Sequence, residues 1–226
     1  MQSTSSGKLA LFDLDNTLLE GDSDHAWGEF LIWKNLVEEK AHREKNDYFY
    51  NQYKQGALDI HSYVAFTLEP VMQLDSKQRA ELHTEFMEHS VKSIILNKGR
   101  ELVRAHLEAG DFCIIITATN EFIASPIAKL FEADLLIATE LQTNDDKYNG
   151  KISGTPCYQD GKVSKLNAWI DLQESRFNLS DAVFYTDSIN DLPLLREVAI
   201  PVAVDPDQDL HDKAESEGWK ILTLRD

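Results

Sequence analysis

The sequence KLALFDLDNTLLEGDS, Lys8 to Ser23, combines an apolar run with closely spaced acidic residues. The run predicts a buried strand over about Leu9 to Phe12, and the carboxylates of Asp13 and Asp15 follow it directly. Residues i and i+2 of a β-strand point to the same side. If the strand continued, two carboxylates about 4 Å apart would repel each other by roughly 4 kcal/mol at an effective dielectric near 20. The pair therefore indicates either a solvated strand end or a site that receives a cation.

Strand and helix patterns alternate along the second half of the chain. Short apolar runs predict further strands at FCIIITATN, DLLIATE, AVFYTDS, IPVAV and KILTL. Helices are predicted between them, in GRELVRAHLEAG and at about 123–131, 163–172, 191–198 and 209–218. This alternation is typical of an α/β fold with a mostly parallel, Rossmann-like sheet covered on both faces. Turn signals at about 141–158 predict a possible small β-hairpin within this core.

A long helical pattern, residues 24–89, separates the first strand from the others. It carries most of the aromatic residues, and their spacing predicts amphipathic helices that pack on one another. We therefore expect an α/β core formed by residues 1–19 and 97–226, with a helical cap, residues 20–96, inserted after the first strand. The aromatic residues are expected to form the interior of this cap rather than a platform for substrate.

The charge balance excludes several classes of partner. The chain has 22 Lys and Arg against 39 Asp and Glu, a net charge of −17. This charge repels nucleic acids and anionic membranes, so any substrate phosphate must be held by a local site. The N-terminal MQSTSSGK has neither a basic start nor an apolar segment, and we expect a short flexible lead without a secretory signal. With only two cysteines and no long apolar run, we expect a cytoplasmic monomer or homodimer.

Several polar residues are predicted to meet at one edge of the sheet. Ligands of open parallel sheets bind at the carboxyl ends of the strands. Asp13 and Asp15 follow the first predicted strand, and the runs CIIIT and VFYTD end at Thr117 and Asp187. Lys162 lies in a turn at the start of a helix. Asp13 and Asp187, with a backbone carbonyl and water, suit Mg²⁺. Thr117, a helix N-terminus and Lys162 suit phosphate oxygens, so the set favours phosphoryl transfer.

These residues resemble the motifs of haloacid dehalogenase-like phosphatases. DLDNT, Asp13–Thr17, resembles their DxDxT motif, and IIITAT resembles their strand that ends in Ser or Thr. Lys162 resembles their conserved lysine, and DSIND, Asp187–Asp191, resembles their final acidic motif. Two features are similar to those of the phosphoserine phosphatase-like branch, which is subfamily IB with a C1-type cap. They are the helical cap after the first motif and the Lys-to-Leu spacing in GKVSKL.

The resemblance implies a role for each matching residue. Asp13 is implied to be the nucleophile that forms an aspartyl-phosphate, and Asp15 the acid and base for the leaving oxygen and for water. The residues implied to bind phosphate are Thr117, Ala118, Lys162 and Asn190. Those implied to bind Mg²⁺ are Asp13, Asp187 and, through its backbone carbonyl, Asp15. Asp191 is implied to support these metal ligands.

Two assignments have competitors nearby in the sequence. Lys165 could replace Lys162 as the phosphate ligand, and Lys162 is preferred because it lies at the turn rather than one turn into the helix. Asp205 and Asp207 also follow a strand, but DPDQD is more typical of a loop and a helix cap.

The start of the predicted cap offers residues for substrate specificity. Asp22 lies where the phosphoserine branch has an acidic residue that meets the substrate amino group, and the same segment also contains Glu20, Asp24 and His25. An equally good interpretation is that DSDH caps the first cap helix. The branch also uses a cap arginine for the substrate carboxylate, and neither Arg43 nor Arg79 lies in a recognisable context for this role.

We therefore expect an enzyme, a Mg²⁺-dependent phosphomonoesterase for a small phosphorylated metabolite. Phosphoserine or a similar amino-alcohol phosphate, such as histidinol phosphate, is the expected substrate, with the cap closing over the site. A phosphotransferase or phosphomutase that uses the same phospho-aspartate is the alternative. A receiver-like signalling protein phosphorylated on Asp is a more distant one, because the long insertion and Asp15 have no function in such a switch.

Overall fold

The fold is described by a computed structural model for residues 7–173 and 176–225. Residues 1–6 of the predicted flexible lead lie outside the described residues. The strands are β1 Leu9–Phe12, β2 Phe112–Asn120, β3 Leu135–Thr139, β4 Leu141–Asn144, β5 Lys147–Ile152, β6 Val183–Thr186, β7 Ile200–Val204 and β8 Lys220–Leu222. The helices are α1 Ser23–Trp33, α2 Glu39–Lys54, α3 Ile60–Leu68, α4 Ser76–Phe86, α5 Asn97–Ala109, α6 Glu121–Ala128, α7 Asp160–Asp171, α8 Leu192–Leu195 and α9 Gln208–Glu217.

Six strands form one parallel sheet in the order β3-β2-β1-β6-β7-β8. The predicted α/β class with a mostly parallel sheet is confirmed. Strands β4 and β5 pair separately as an antiparallel hairpin inside the interval 141–158. Because β1 lies between β2 and β6, the residues after β1 lie beside the ends of two neighbouring strands, where ligands of parallel sheets bind.

The alternation of side chains along β1 explains how the sheet is covered. Ala10 and Phe12 belong to an apolar cluster with residues of α5 and α6, and also with Trp27 and Phe86 of the inserted segment. Leu9 and Leu11 point to the opposite face and belong to a second cluster with residues of α7, α8 and α9. The insertion therefore shares a continuous apolar interior with one face of the sheet. Its division into a separate cap, residues 20–96, stays a prediction.

Acidic residues begin the four helices of the insertion. The side chains of Asp22, Glu38, Asp59 and Asp75 accept hydrogen bonds from backbone N–H groups in the first turns of α1 to α4. Such caps satisfy donors that a helix leaves free, and replacing one by Ala typically costs about 1 kcal/mol. Part of the negative charge of the insertion therefore has a structural function.

The ends of three elements differ from the sequence-based expectation. Helix α6 begins at Glu121, two residues before the predicted start near 123, because the side chain of Asn120 at the end of β2 caps it. Lys162 lies in the first turn of α7 instead of the preceding turn. The predicted helix 191–198 is reduced to α8, which follows a 3-10 turn at Ile189–Asp191.

Cys113 and Cys157 are both buried and free. Across residues 7–173 and 176–225, no helix has the length and apolar character needed to cross a membrane.

Candidate active site

Asp13 lies directly after β1 and is buried at the carboxyl edge of the sheet. Its backbone N–H donates to the carbonyl of Tyr185 in β6 over 2.9 Å, which continues the pairing of these two strands. Its Oδ1 atom accepts a hydrogen bond from Nζ of Lys162 at 2.7 Å. Burial raises the pKa of Asp13 to about 7, although the charge of Lys162 acts in the opposite direction.

Lys162 extends from α7 into this edge and is buried between two carboxylates. Its Nζ lies 2.7 Å from Asp13 and 2.7 Å from Oδ2 of Asp191, which also accepts a hydrogen bond of 2.6 Å from Thr186. Burial alone would lower the pKa of Lys162, but these two carboxylates outweigh it and raise the pKa. Lys162 therefore carries its positive charge inside the protein.

Lys165, the competing candidate, lies elsewhere. Its Nζ donates to the exposed carboxylate of Glu140 over 2.8 Å. It lines a separate surface cavity together with Ala168 and Trp169. This placement supports Lys162 as the cation of the site.

Asp187 adds a third carboxylate just after β6. Its Oδ1 atom accepts a hydrogen bond of 3.2 Å from Oγ1 of Thr17. Burial and the negative charges of Asp13 and Asp191 raise the pKa of Asp187 well above its ordinary value. Asp13, Asp187 and Asp191 therefore have one lysine, Lys162, to balance their charge within the described site, and a further cation would relieve their repulsion.

The residues of this edge fit Mg²⁺. Within the described residues, no group of three or more His, Cys, Asp or Glu side chains is arranged to hold a metal. Mg²⁺ does not need such a group, because it is commonly bound by one or two carboxylates together with water and substrate phosphate. The oxygen-only donors and the surplus of negative charge at Asp13, which is buried, and at Asp187, which is partly buried, are the features that favour it.

Asp15 lies beside this group and is fixed by two donors. Its Oδ1 accepts from the backbone N–H of Ser23 at 2.6 Å, and its Oδ2 accepts from Oγ1 of Thr119 at 2.7 Å. Burial raises the pKa of Asp15 to about 6, and the nearby charge of Asp22 adds to this effect. The hydrogen bonds from Ser23 and Thr119 act in the opposite direction. Strand β1 ends at Phe12, so Asp15 belongs to the following turn and not to the strand.

A small cavity lies between the edge of the sheet and the insertion. The α/β part contributes Asp13, Asp15, Thr117, Ala118 and Thr119, and the insertion contributes Asp22, Asp24, Phe49, Tyr50, Tyr53, Leu58, Ile60 and Tyr63. The centres of water molecules can occupy about 20 Å³ of this cavity, which is room for roughly one water molecule. The catalytic candidates therefore face a pocket of carboxylates and aromatic rings.

Two of the acidic residues in the insertion reach this cavity. Asp22 lines it while its side chain also accepts from the backbone N–H of His25 at 2.8 Å, so it caps α1 as well. Asp24 is buried, and its Oδ1 accepts from Nδ2 of Asn120 at 3.2 Å. Burial raises the pKa of both carboxyl groups, most strongly that of Asp24.

The other specificity candidates do not line the cavity. Glu20 is exposed, and His25 is hydrogen-bonded to Asp47 at 3.0 Å. Arg43 forms ion pairs with Glu29 and Glu39 on the surface of the insertion. Arg79 donates to the backbone carbonyls of Leu74 and Asp146 over 2.7 and 2.6 Å. Neither arginine is among the cavity-lining residues.

The remaining phosphate candidates differ in their placement. Thr117 and Ala118 line the cavity, and the carbonyl of Ala118 accepts from Thr139 at 2.8 Å. Asn190 instead bridges to the insertion, because its Nδ2 donates to the carbonyl of Tyr53 over 2.9 Å. A phosphate-binding role for Asn190 stays a prediction.

Asp205 and Asp207 have structural roles, as the sequence indicated. Asp207 caps α9 through the N–H of Leu210 at 2.8 Å, and Asp205 accepts from the N–H of Leu224 at 2.9 Å. Both side chains therefore hold backbone segments in place.

Four polar groups of the site were not assigned from the sequence. They are the hydroxyls of Thr17, Thr119 and Thr186 and the backbone N–H of Ser23. The sequence could have indicated Thr119 as a site residue, because it follows Thr117 by two positions in a strand and therefore points to the same side. The N–H of Ser23 had none, because its position depends on the turn that leads into α1.

Comparisons with known proteins identify related chains. The chain matches the model of the haloacid dehalogenase-like hydrolases over residues 10–196. It is 42% identical over 219 residues to a histidinol-phosphatase of Neisseria meningitidis serogroup C (strain 8013), covering 96% of this chain and 99% of that protein. A phosphoserine phosphatase of Mycobacterium tuberculosis is 28% identical over 222 residues, covering 96% of this chain and 70% of that one.

Solved structures show the same fold. A protein of unknown function from Bordetella pertussis Tohama I superposes with a TM-score of 0.90 at 36% identity, covering 98% of this chain and 100% of that one. A substrate-bound phosphoserine phosphatase superposes with a TM-score of 0.70 at 16% identity, covering 97% and 93% of the two chains. At that identity the similarity concerns the fold alone.

The chain therefore belongs to the haloacid dehalogenase-like hydrolase family. The predicted family and its phosphoserine phosphatase-like branch are confirmed, as is the prediction of an enzyme. The phosphatase prediction agrees with the activities of the relatives.

Proposed function

We propose that this protein is a Mg²⁺-dependent phosphomonoesterase that acts on a small amino-alcohol phosphate through a phosphorylated Asp13. The observation that carries the proposal is the cavity in which Asp13, Asp15 and Thr117 face one another, with Lys162 at 2.7 Å from Asp13. The proposed nucleophile therefore lies close to the proposed acid and base and to the phosphate-binding groups, as a phosphoryl-transfer site requires.

In the first proposed step, a carboxylate oxygen of Asp13 attacks phosphorus. The bond from phosphorus to the alcohol oxygen breaks, and the proton of Asp15 passes to that oxygen to give the free alcohol. Thr117 and Lys162 hold the oxygens of the transferring phosphoryl group. Asp13 and Asp187 would hold Mg²⁺, which when bound supplies positive charge that lets an anionic nucleophile approach a phosphate.

In the second proposed step, Asp15 acts as a base. It takes a proton from a water molecule as that water attacks phosphorus, and the bond from phosphorus to Asp13 breaks. Inorganic phosphate leaves, and Asp13 returns to a carboxylate. A pKa of about 6 lets Asp15 hold or release its proton near neutral pH, as the two opposite roles require.

The charge of the cavity favours a substrate with a cationic amine. Asp22 and Asp24 line it together with the rings of Tyr50 and Tyr63, and such a set suits an ammonium or imidazolium group. Among the described residues that line the cavity there is no arginine to receive a substrate carboxylate. We therefore propose histidinol phosphate over phosphoserine, in agreement with the activity of the Neisseria meningitidis relative. A cytoplasmic location and a monomeric or dimeric state stay predictions.

The test is phosphate release from histidinol phosphate, phosphoserine, phosphoethanolamine and a sugar phosphate, with Mg²⁺ or with EDTA. We expect Mg²⁺-dependent release that is fastest from histidinol phosphate and absent in Asp13→Asn. Asp22→Asn should reduce the preference for amine-bearing substrates over the sugar phosphate. Absence of release from every substrate by folded protein would contradict the proposal, and transfer of phosphate to added alcohols in preference to water would favour the phosphotransferase alternative.

A further inference from the structure

We infer that Thr119 is a positioning residue for Asp15, holding its carboxyl group toward the leaving oxygen of the substrate. The inference rests on the proposed function, because it assigns Thr119 a part in the same reaction. The hydroxyl of Thr119 donates to Oδ2 of Asp15 at 2.7 Å, and both side chains are buried and line the cavity.

The two oxygens of Asp15 are held from opposite parts of the chain. Thr119 in β2 binds Oδ2, and the backbone N–H of Ser23, the first residue of α1, binds Oδ1 at 2.6 Å. With one donor on each oxygen, rotation of the carboxyl group about its terminal bond breaks both hydrogen bonds. Of these two donors, only the hydroxyl of Thr119 can be removed by substitution, since the other belongs to the backbone.

Strand β2 links this contact to the phosphate-binding candidate. Thr117 and Thr119 are two positions apart in the strand and both line the cavity. The N–H of Thr119 also donates to Oγ1 of Thr117 over 3.2 Å. One strand end therefore sets the distance between the group that holds the phosphoryl oxygens and the group that orients the acid.

The hydrogen bond from the Thr119 hydroxyl to Asp15 assists the proton transfer of the first proposed step. As the bond from phosphorus to the alcohol oxygen breaks, the proton of Asp15 moves to that oxygen and Asp15 becomes a carboxylate. This carboxylate is the form that accepts hydrogen bonds from both Thr119 and Ser23. The two donors therefore stabilise the charge that develops on Asp15 and keep it facing the substrate.

The contribution of Thr119 should depend on the leaving group. An alkoxide is a poor leaving group and needs the proton of Asp15, whereas p-nitrophenolate leaves without one. A residue that only supported the fold would affect both kinds of substrate alike. The experiment is therefore to measure kcat/KM with histidinol phosphate and with p-nitrophenyl phosphate for the wild type, Thr119→Val, Thr119→Ser and Asp15→Asn.

We expect Thr119→Val to lose about 10-fold or more in kcat/KM with histidinol phosphate and less than about 3-fold with p-nitrophenyl phosphate, as for a group that aids general acid catalysis. Thr119→Ser, which keeps the hydroxyl, should recover most of the loss. In the Asp15→Asn background, Thr119→Val should add little, because the group that it positions has been replaced. Circular dichroism and thermal unfolding of each variant verify that it is folded.

Three results would overturn the role of Thr119 while leaving the proposed function intact. These are equal losses with both substrates, no recovery in Thr119→Ser, and full additivity with Asp15→Asn. Wild-type protein that releases phosphate from neither substrate would instead overturn the proposed function, and the role of Thr119 with it.

Discussion

At the scale of single residues, the site places the buried carboxylates of Asp13 and Asp191 around one buried cation, Lys162. Lys162 is hydrogen-bonded to both Asp13 and Asp191 at 2.7 Å. The exposed fraction of each of these three residues is 3% or less. Buried charges are tolerated when they are paired, and removal of one partner leaves the others uncompensated. Lys162 is therefore important to the fold as well as to the proposed chemistry.

We expect Lys162→Met to destabilise the protein by about 3–5 kcal/mol near neutral pH, as for other broken buried ion pairs. The loss should shrink as the pH falls, because Asp13, whose pKa is raised, becomes neutral when it binds a proton. Urea unfolding at pH 7.5 and pH 5.5 measures both effects. Lys165→Met is the matched control, because its pair with the exposed Glu140 should be worth less than about 1 kcal/mol. Equal stability of the two variants would contradict this role of Lys162.

The sequence predicted these central residues because their positions follow from strand ends. Asp13, Thr117 and Asp187 come after or at the end of apolar runs, and parallel strands bring such positions to one edge. The contacts of Asp15 could not be predicted in the same way. The contact with Ser23 depends on the turn after β1, and the contact with Thr119 depends on where that turn places the carboxyl group of Asp15 against β2.

At the scale of elements, α1 and α2 approach closely at Gly28. A Cβ atom at this position would lie 2.4 Å from Nδ2 of Asn46, a buried side chain that donates to the carbonyl of His25 at 3.0 Å. The absence of a side chain at Gly28 therefore allows Asn46 to connect the two helices.

We expect Gly28→Ala to destabilise the protein by about 1–3 kcal/mol. Overpacking costs about 1–3 kcal/mol and the lost hydrogen bond of Asn46 about 1 kcal/mol, while Ala gains up to about 1 kcal/mol in helix propensity. In the Asn46→Ala background the clash is absent, so the same substitution should become neutral or stabilising. A double-mutant cycle by urea unfolding measures this change of sign, and a destabilisation that is equal in both backgrounds would refute the contact.

At the scale of the whole molecule, the insertion and the α/β part meet in one apolar cluster and enclose the cavity. His83 of α4 lies in this contact, with its ring 5.3 Å from that of Phe122 in α6 and 5.6 Å from that of Phe86. Burial lowers the pKa of His83. The histidine is therefore neutral in the folded protein over a wider pH range than in the unfolded chain.

This shift predicts a loss of stability in mild acid. Below its ordinary pKa of about 6.5, His83 takes up a proton in the unfolded chain before it does so in the folded one, so the free energy of unfolding falls with pH in this range. His83→Phe keeps an aromatic ring and removes the titration. We expect the difference in unfolding free energy between pH 7.5 and pH 5.5 to be smaller in this variant. An unchanged difference would show that His83 contributes nothing to the pH dependence.

The contact between the insertion and the α/β part could be predicted only in part from the sequence. The periodicity of apolar residues predicted a mostly parallel sheet, the order of strands and helices along the chain and the helical segment after β1. It could not predict which face of the insertion covers the site, because the same apolar spacing serves packing within the insertion and against the sheet. The tyrosines that line the cavity, such as Tyr53 and Tyr63, were therefore expected to be interior residues only.

The most direct test of the proposed reaction is to detect phosphate on Asp13. Asp15→Asn removes the base of the second step, and p-nitrophenyl phosphate needs no acid in the first, so the phosphorylated protein should accumulate. We would mix this variant and Mg²⁺ with the radiolabelled substrate, stop the reaction with acid and locate the label by peptide mapping. We expect the label on the peptide that contains Asp13, and none in the double variant Asp13→Asn, Asp15→Asn. Phosphate release by the wild type without label on Asp13 in either protein would contradict a covalent role for this residue.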